Sequence, residues 1–339
     1  MIKSFFKNNT IHKKIVPIFD ILFLFRPTLF FVVWLMVSIG FYLGYLLNEN
    51  INNYQWIFTF SYHTFFLYSA ITLLTGASFV TNQISDVKAD KINKKLFILN
   101  EVISPNKAKV IHKIVTICGF SLLFITLDLF IIVLGTLIFF LWDKVYNNKP
   151  FEWKNHPFLG PLCNILVGFL LILIGFCSSN HEGFLNSTMT LKNLNLMFLY
   201  VIPYLLCYLA VTIITDIPDI LGDKANNKKS FSILIGKKKT IICSTLLVLF
   251  AFLLSYYLED PLSSHSASVS FPFFLFAVFR GYDKDILRSI RYPIFIMNFF
   301  TMIVFPYLFI ASIIIFYLSK YYYWHRFSLH YPTFLVDND

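Results

Sequence analysis

Charged residues are scarce in this sequence. Only 14% of its 339 residues are Asp, Glu, Lys or Arg, whereas 57% are hydrophobic. Soluble domains carry about 25% charged residues and a smaller apolar share. The composition therefore excludes a soluble globular protein and indicates a protein that crosses the membrane several times.

Paired cysteine motifs are also missing. The five cysteines lie singly within or at the ends of apolar runs, with no CxxC spacing and no set of neighbouring histidines. We interpret them as small hydrophobic core residues. Basic residues near the N-terminus precede a full-length apolar segment that many others follow, so we expect no signal peptide to be removed.

Long apolar runs fill most of the chain instead. One membrane-spanning helix needs about 20 apolar residues. The runs predict spans near residues 28–47, 56–81, 110–126, 128–143, 158–177, 195–215, 240–258, 267–279 and 293–318. We therefore expect an all-α integral membrane protein with nine transmembrane helices around a central cavity. It would form one membrane domain over residues 1–339, with a cytoplasmic segment (1–25), a helical bundle (26–318) and a tail (319–339).

The distribution of basic residues predicts the topology. The formal net charge is +10, and nearly all Lys and Arg residues fall in alternate loops, whereas the opposite loops hold only Lys192. Cytoplasmic loops of membrane proteins are enriched in Lys and Arg. We therefore predict a multi-pass protein of the bacterial inner (plasma) membrane with a cytoplasmic N-terminus. The lipid bilayer and an anionic substrate are the expected partners, and nucleic acid is not.

Two acidic clusters lie at the ends of apolar runs on the predicted cytoplasmic side. Asp86 and Asp90 are four residues apart, as are Asp219 and Asp223. On a helix this spacing puts both carboxylates on one face, where they repel unless a cation lies between them. Oxygen ligands without His or thiolate favour Mg²⁺, which commonly bridges carboxylates to substrate phosphates. Asn82 adds an amide oxygen one turn before Asp86. Solvated acids paired with nearby lysines are the alternative, but two clusters of matching spacing favour a metal site.

Similar basic residues follow both clusters. The shared order of acid, base, Asn and paired Lys indicates a weak internal repeat, with two half-sites facing one cavity. Each lysine by itself is explained by the charge bias of cytoplasmic loops. As a set they indicate phosphate binding, because ammonium groups neutralise a diphosphate. These bases are Lys91, Lys94, Lys95, Lys224, Lys228 and Lys229.

A third cytoplasmic loop, residues 144–157, combines a tyrosine with several bases. Tyr146 and Lys154 are either part of the site or an aromatic anchor at the membrane interface with a basic flank, and the loop sequence leaves both interpretations open. His156 is interpreted as a loop residue. Three further acids lie at predicted span ends, where a charge costs little, and receive no role. They are Asp20, Asp128 and Asp143.

The two acidic motifs resemble those of the UbiA superfamily of intramembrane prenyltransferases. The first family motif, Asn-x-x-x-Asp-x-x-x-Asp, matches Asn82, Asp86 and Asp90, and the second, Asp-x-x-x-Asp, matches Asp219 and Asp223. The similarity covers residues 22–318. It also includes Asp216 as an additional acid, Arg26-Pro27, Tyr146, Pro150, Lys154, Pro157, and the run from Gly222 to Gly236.

Some segments are most similar to the homogentisate prenyltransferase branch of that superfamily. They are Asn82-Gln83, Asp216 to Asp219, and Ser230-Phe231-Ser232. Two positions depart from the family pattern. Leu96 to Leu99 replace the usual Arg-Pro or Leu-Pro turn, and Glu152 stands where many members carry Arg.

The resemblance implies a UbiA-like fold and a reaction. A polyprenyl group would pass from a polyprenyl diphosphate to an aromatic or similar electron-rich acceptor through an allylic carbocation, with Mg²⁺ as cofactor. Quinone- or tocopherol-type isoprenoid biosynthesis would be the setting. The implied metal ligands are Asn82, Asp86, Asp90, Asp216, Asp219 and Asp223, of which Asp86, Asp90, Asp219 and Asp223 are also the implied catalytic residues. The implied diphosphate-binding residues are Arg26, Lys91, Tyr146, Lys154, Lys224 and Lys229.

Two other functions use similar residues. A membrane carrier or flippase could bind an isoprenoid or phospholipid phosphate through the same acids and bases. It would need polar residues at mid-membrane depth, whereas these spans are polar chiefly at their cytoplasmic ends. A soluble-type prenyl diphosphate synthase also has aspartate-rich metal sites, but it has no need of nine apolar spans.

Overall fold

The computed structural model describes residues 9–48, 61–93, 98–99, 102–179 and 191–332. Within these ranges the chain is almost entirely helical, and the only β-type contact is an isolated bridge between Leu99 and Ile103. The predicted all-α class is confirmed. The α-helices are α1 (Thr10–Leu24), α2 (Phe30–Asn48), α3 (Tyr62–Ile92), α4 (Pro105–Ile125), α5 (Leu129–Phe139), α6 (Leu159–Ser178), α7 (Leu191–Thr215), α8 (Ile220–Ala225), α9 (Phe231–Ile235), α10 (Lys237–Tyr257), α11 (Pro261–Arg280), α12 (Asp283–Val304) and α13 (Pro306–Phe327).

Nine helices in the described ranges are long and apolar enough to cross a membrane, as predicted. Eight of them are α2, α3, α4, α6, α7, α10, α11 and α12; the remaining one is α5 together with a π-helix, Phe140–Tyr146, that continues it. Two short 3₁₀ turns, Pro27–Leu29 and Trp153–Asn155, precede α2 and α6.

Four predicted spans have the wrong bounds. The third and eighth, placed at 110–126 and 267–279, are helices that begin earlier, at Pro105 and Pro261. The second, placed at 56–81, is a helix that starts at Tyr62 and continues to Ile92, so the first acidic motif is part of the helix itself; residues 56–60 lie outside the described ranges. The ninth, placed at 293–318, is interrupted. Helix α12 ends at Val304, and Pro306 lies in the first turn of α13, where the missing N–H of proline costs no helical hydrogen bond.

Polar side chains cap several of the helices. Ser61 Oγ accepts from the N–H of Thr64 at the start of α3, and Asp128 Oδ1 accepts from the N–H of Phe130 at the start of α5. Asp260 caps α11 in the same way. These side chains satisfy amide groups that have no partner within the helix.

Close helix pairs build the bundle. Helix α2 packs against α6, α3 against α4, and α10 against both α7 and α11. At the α2–α6 crossing a Cβ on Gly40 would lie 2.0 Å from the carbonyl oxygen of Ile172, so only glycine permits the approach. All five cysteines are free. Cys163 and Cys177 are buried, as predicted for core residues, whereas Cys118 is exposed and the prediction is wrong for it.

Helix α13 lies against α1 near the first motif. The rings of Phe23 and Tyr322 stack at 4.1 Å, and the Tyr322 hydroxyl donates to Asp20 Oδ1 at 2.7 Å. Arg326 Nε is 3.2 Å from the same carboxylate oxygen. Asp20, which the sequence left without a role, therefore joins the first and last described helices.

Candidate active site

The first acidic motif occupies the last three turns of α3. Asn82, Asp86 and Asp90 follow one another at intervals of one helical turn, and Asn82 Nδ2 donates to Asp86 Oδ2 at 2.9 Å. The same Nδ2 donates to Asn147 Oδ1 at 3.0 Å. The motif thus presents its polar groups in one direction, as the spacing predicts.

Two of the predicted bases meet this motif. Arg26 Nη2 is 3.4 Å from Asp90 Oδ2. Lys154, held in the turn Trp153–Asn155, donates to Asp86 Oδ1 and to Ser85 Oγ. Burial lowers the pKa of Lys154, and the neighbouring Asp86 opposes that shift. The site interpretation of Lys154 is therefore favoured over a membrane anchor, because its ammonium lies inside the protein with a carboxylate.

The second motif has a different backbone from the first. Helix α7 ends at Thr215, and Asp216 lies in a turn that Pro218 prevents from continuing as helix. Asp219 precedes α8, and its carbonyl accepts the N–H of Asp223 at 3.0 Å. The two motifs are therefore not structural copies at the level of the backbone, although the sequence pattern predicted a repeat.

Direct contacts bring the two motifs together. A Cβ on Gly222 would lie 2.4 Å from the carbonyl oxygen of Ala89, so α8 approaches α3 as closely as backbones can. Asn93, just beyond the end of α3, accepts the N–H of Gly222 at 2.8 Å and donates to the carbonyl of Asp219 at 3.4 Å. The predicted facing of two half-sites thus has a geometric basis in the glycine and the asparagine.

Lys228 is the base that reaches the second motif. Its Nζ is 3.3 Å from Asp223 Oδ2, and its side chain is only 18% exposed. The sequence placed Lys228 among the nearby bases but implied Lys224 and Lys229 as the diphosphate ligands. The side chains of these two lysines are exposed, as is that of Lys91.

The backbone at the end of helix α8 explains why Lys228, and not Lys229, reaches the second motif. Asn227 adopts the left-handed conformation (φ 57°), its N–H donates to the carbonyl of Lys224 at 3.1 Å, and the N–H of Lys228 donates to the carbonyl of Asp223 at 2.9 Å. This pair of bonds is a Schellman motif, which reverses the chain over the last helical turn. Asparagine tolerates the left-handed region. Two consecutive asparagines before Lys228 were therefore the signal in the sequence, and it was missed.

Charge and burial shape the protonation of this half-site. Burial raises the pKa of Asp216 to about 7; Lys228 opposes the shift, and Asp223 and Asp219 add to it. Burial also raises the pKa of Asp223, again opposed by Lys228. Burial alone would lower the pKa of Lys228, but Tyr146 and the carboxylates outweigh it, so its pKa lies above the ordinary value. Lys228 therefore carries its charge inside the site.

Tyr146 lies between the two motifs, at the end of the π-helix. The charged groups that act on it most strongly are Lys228, Asp216 and Asp86. Its site role therefore stays a prediction. His156 is exposed in its loop.

The oxygen groups fit a divalent cation such as Mg²⁺. Asp223 Oδ2 is buried and accepts no hydrogen bond, although Lys228 lies nearby. Among the described residues, no three His, Cys, Asp or Glu side chains come close enough to hold a metal by themselves. An open set of carboxylate and amide oxygens suits Mg²⁺, which takes one or two carboxylates and completes its shell with water and phosphate oxygens.

A cavity of about 50 Å³ lies inside the bundle, and none of its lining residues belongs to either motif. Helices α2, α7, α10, α11 and α12 line it, mainly with apolar side chains such as Met36, Tyr208 and Val211. Val211 precedes Asp216 by five residues, which is about 8 Å along a helix. Helix α7 therefore carries cavity-lining residues, and the second motif begins just beyond its end.

The chain matches the model of the UbiA prenyltransferase family over residues 38–300. A curated relative, coumarin 8-geranyltransferase 1 (chloroplastic) from Citrus limon, is 25% identical over 174 residues. That match covers 50% of this chain and 42% of the relative, so the chain spans less than half of that protein.

Three solved structures share the fold. A UbiA homologue from Archaeoglobus fulgidus, bound to DMAPP and Mg²⁺, superposes with a TM-score of 0.58 at 14% identity and covers 85% of this chain and 99% of its own. A UbiA homologue from Aeropyrum pernix K1 gives 0.56 at 17% identity, covering 82% and 98%. A digeranylgeranylglyceryl phosphate synthase gives 0.54 at 19% identity, covering 85% and 97%.

Proposed function

The chain belongs to the UbiA prenyltransferase family, and from this premise we propose that it transfers a polyprenyl group from a prenyl diphosphate to an aromatic or similarly electron-rich acceptor. One observation carries the proposal. Two carboxylate motifs are joined at one end of the bundle, the buried Lys154 lies against the first and the partly buried Lys228 against the second, and an apolar cavity lies within the bundle. This combination suits a substrate with a diphosphate head and an apolar tail.

The acids of the two motifs would hold Mg²⁺. The proposed ligands are Asn82, Asp86, Asp90, Asp216, Asp219 and Asp223. When bound, Mg²⁺ neutralises charge on the diphosphate and makes it a better leaving group. Oxygen-only ligands and the open geometry of the set support this assignment.

Seven side chains around the motifs would bind the diphosphate. Lys154 and Lys228 hold buried ammonium groups beside Asp86 and Asp223, and an ammonium group has three donors that phosphate oxygens accept. Arg26, Tyr146 and the three predicted lysines at the surface are also assigned to this group. The exposed members are Lys91, Lys224 and Lys229, and we expect them to contribute less than the buried lysines, because exposed charges are screened by solvent.

The reaction would break the allylic C–O bond of the donor. The diphosphate leaves with the electron pair, and the positive charge that develops on the allylic carbon is delocalised over the double bond. A carbon of the acceptor ring attacks this carbon and then loses its proton. Lys154 and Lys228 favour the first step, because preorganised positive charge stabilises the leaving diphosphate.

The isoprenoid tail would occupy the apolar cavity, and the acceptor would approach the same carbon from within the bundle. We propose a quinone- or tocopherol-type acceptor. We also propose that the motifs face the cytoplasm of a bacterial inner membrane, since the basic loops lie at the same end of the helices.

Purified protein in liposomes provides the test. Labelled prenyl diphosphates of increasing length are incubated with a panel of aromatic acceptors and Mg²⁺, and diphosphate release and product mass are measured. We expect a prenylated product with Mg²⁺ and a loss of roughly 100-fold or more in Asp86→Ala, since charge-stabilising groups contribute on that scale. Asp283→Ala is the matched control, because Asp283 is an exposed acid paired with Lys237.

Two outcomes would contradict the proposal. Full activity in excess chelator would remove the role of Mg²⁺. Movement of an isoprenoid phosphate across the liposome membrane without any chemical change would instead identify a carrier.

A further inference from the structure

Asp143 is a fully buried acid that lies outside both motifs. It belongs to the π-helix Phe140–Tyr146, and its side chain has no exposed surface. Burying a carboxylate is costly unless its charge is paired and hydrogen-bonded. Single π-helical turns also occur frequently at functional sites. The prediction that a charge at this span end needs no special role does not account for such complete burial.

Three elements provide partners for the carboxylate. Asp143 Oδ1 accepts from Thr81 Oγ1 of α3 at 2.6 Å and from His112 Nε2 of α4 at 2.8 Å. Lys144 Nζ is 3.0 Å from Oδ2 and extends to the surface. The carboxylate therefore ties the π-helix to α3 and α4 at a single point.

That point lies beside the first motif. Thr81 immediately precedes Asn82, and Asn82 is itself held by Asn147, the residue that follows the π-helix, through a bond of 3.0 Å. Asn147 is fixed in turn by donating to the carbonyl of Trp142 at 2.7 Å. The π-helix and the residue after it thus bind two consecutive residues of α3. The carboxylate of Asp143 binds Thr81, and the amide of Asn147 binds Asn82.

A helix held at two consecutive residues cannot turn about its own axis. Each residue of an α-helix is rotated by about 100° from the one before it, given 3.6 residues per turn. The bond to Thr81 therefore sets the direction in which Asn82 and Asp86 face. Mutation of a group that orients a metal ligand through a hydrogen bond typically costs about 10–100-fold in metal affinity or activity.

We propose that Asp143, together with Thr81 and His112, is a positioning group that orients the first motif for metal binding. The inference rests on the proposed function, because it assigns Asn82 and Asp86 to a metal. As a positioning group, Asp143 would touch neither substrate nor metal. It would act through Thr81 and through the π-helix.

Variants at Thr81 provide the sharpest test. Thr81→Val removes the hydroxyl at nearly constant volume, and Thr81→Ser keeps it. Thr116→Val is the matched control, because the Thr116 hydroxyl donates only to the backbone carbonyl of His112, at 2.8 Å. Asp143→Asn serves as a second, independent variant with the same shape and no charge.

The measurement is the affinity of the purified full-length protein for Mn²⁺ alone, by electron paramagnetic resonance, together with its melting temperature. We expect Thr81→Val and Asp143→Asn to bind Mn²⁺ roughly 10-fold more weakly, in the range for orienting partners of metal ligands. Thr81→Ser should restore wild-type affinity, and Thr116→Val should retain it.

Two results would overturn the inference, and they are distinguishable. If Thr81→Val melts at a lower temperature but binds Mn²⁺ like the wild type, the network is only structural and the proposed function stands. If the wild-type protein binds no Mn²⁺ and transfers no prenyl group, the proposed function fails and the inference fails with it.

Discussion

Asn93 and Gly222 connect the two acidic motifs through a hydrogen bond of 2.8 Å, with the glycine N–H donating to the asparagine Oδ1. Asn93 ends the helix of the first motif, and Gly222 lies between the two acids of the second. The relative position of the four principal carboxylates therefore depends on the amide side chain of Asn93 and on the absence of a side chain at Gly222.

Gly222→Ala should impair catalysis. The added Cβ would lie 2.4 Å from the carbonyl oxygen of Ala89 and 2.6 Å from Asn93 Nδ2, so α8 must move away from α3. A displacement of about 1 Å at an active site can cost roughly 100-fold in rate. Gly76→Ala on α3 is the control, because its Cβ would meet only the ring atoms of Phe30, at 3.3 Å, and Phe25, at 3.4 Å, and no backbone. Equal rates for the two variants would show that the close approach is unnecessary.

Lys228→Met should weaken diphosphate binding. The variant keeps an apolar stem but loses the buried ammonium beside Asp223. Removing one charged hydrogen bond costs about 1.5–3 kcal/mol, which corresponds to a roughly 10- to 100-fold weaker affinity. The affinity for Mg²⁺ and inorganic pyrophosphate, measured by calorimetry, checks this.

Lys239→Met removes an equal charge from an exposed position at the start of α10 and controls for net charge. Lys228→Arg should recover part of the affinity. A larger effect of Lys229→Met than of Lys228→Met would contradict the assignment and favour the family pattern over the observed contact.

Ser270→Leu should discriminate against long donors. Ser270 is buried and lines the cavity, so a larger side chain there fills space that we assign to the isoprenoid tail. We expect KM to rise for longer prenyl diphosphates, while pyrophosphate affinity stays unchanged because the motifs are untouched. Ser268→Leu on the same helix does not line the cavity and is the control. An equal rise in KM for donors of every length would argue against this location of the tail.

Asp260→Ala should reduce stability without affecting the acidic site. The buried carboxylate accepts from the hydroxyls of Tyr42 at 3.0 Å and Tyr204 at 2.7 Å, and it caps α11. Losing the cap and leaving buried hydroxyls unpaired should cost about 2–4 kcal/mol. Asp128→Ala, which removes only a helix cap, should cost about 1 kcal/mol. Thermal unfolding in detergent measures both, and a comparable loss in the two variants would contradict the role of the tyrosines.

The membrane spans were largely predictable from the sequence. Apolar length decides whether a segment enters a bilayer, and that length is a local property. The predicted span bounds were wrong where the apolar run and the helix differ in length. Helix α3 continues past its apolar run through Asp86 and Asp90, because charged residues can remain helical beyond the apolar segment. Pro306 begins a separate helix within the run that hydropathy predicted as a single span.

The acids of the site were also visible in the sequence, but their partners were not. Spacing alone identified Asn82 with Asp86, and their hydrogen bond bears out the shared face. The choice of Lys228 over Lys229 depends on the left-handed turn at Asn227, which directs one side chain inward and leaves the next exposed. Composition and charge alone cannot distinguish a site lysine from its adjacent lysine.

The sequence by itself determined that this chain is a multi-pass α-helical membrane protein with two oxygen-rich motifs, because apolar length and residue spacing act locally. Only the tertiary structure decided that Asn93 joins those motifs through Gly222, and that Asp143 is enclosed between Thr81 and His112. These contacts join residues that are far apart in the chain, and they depend on how closely whole helices approach. A local sequence pattern does not determine the distance between two helices.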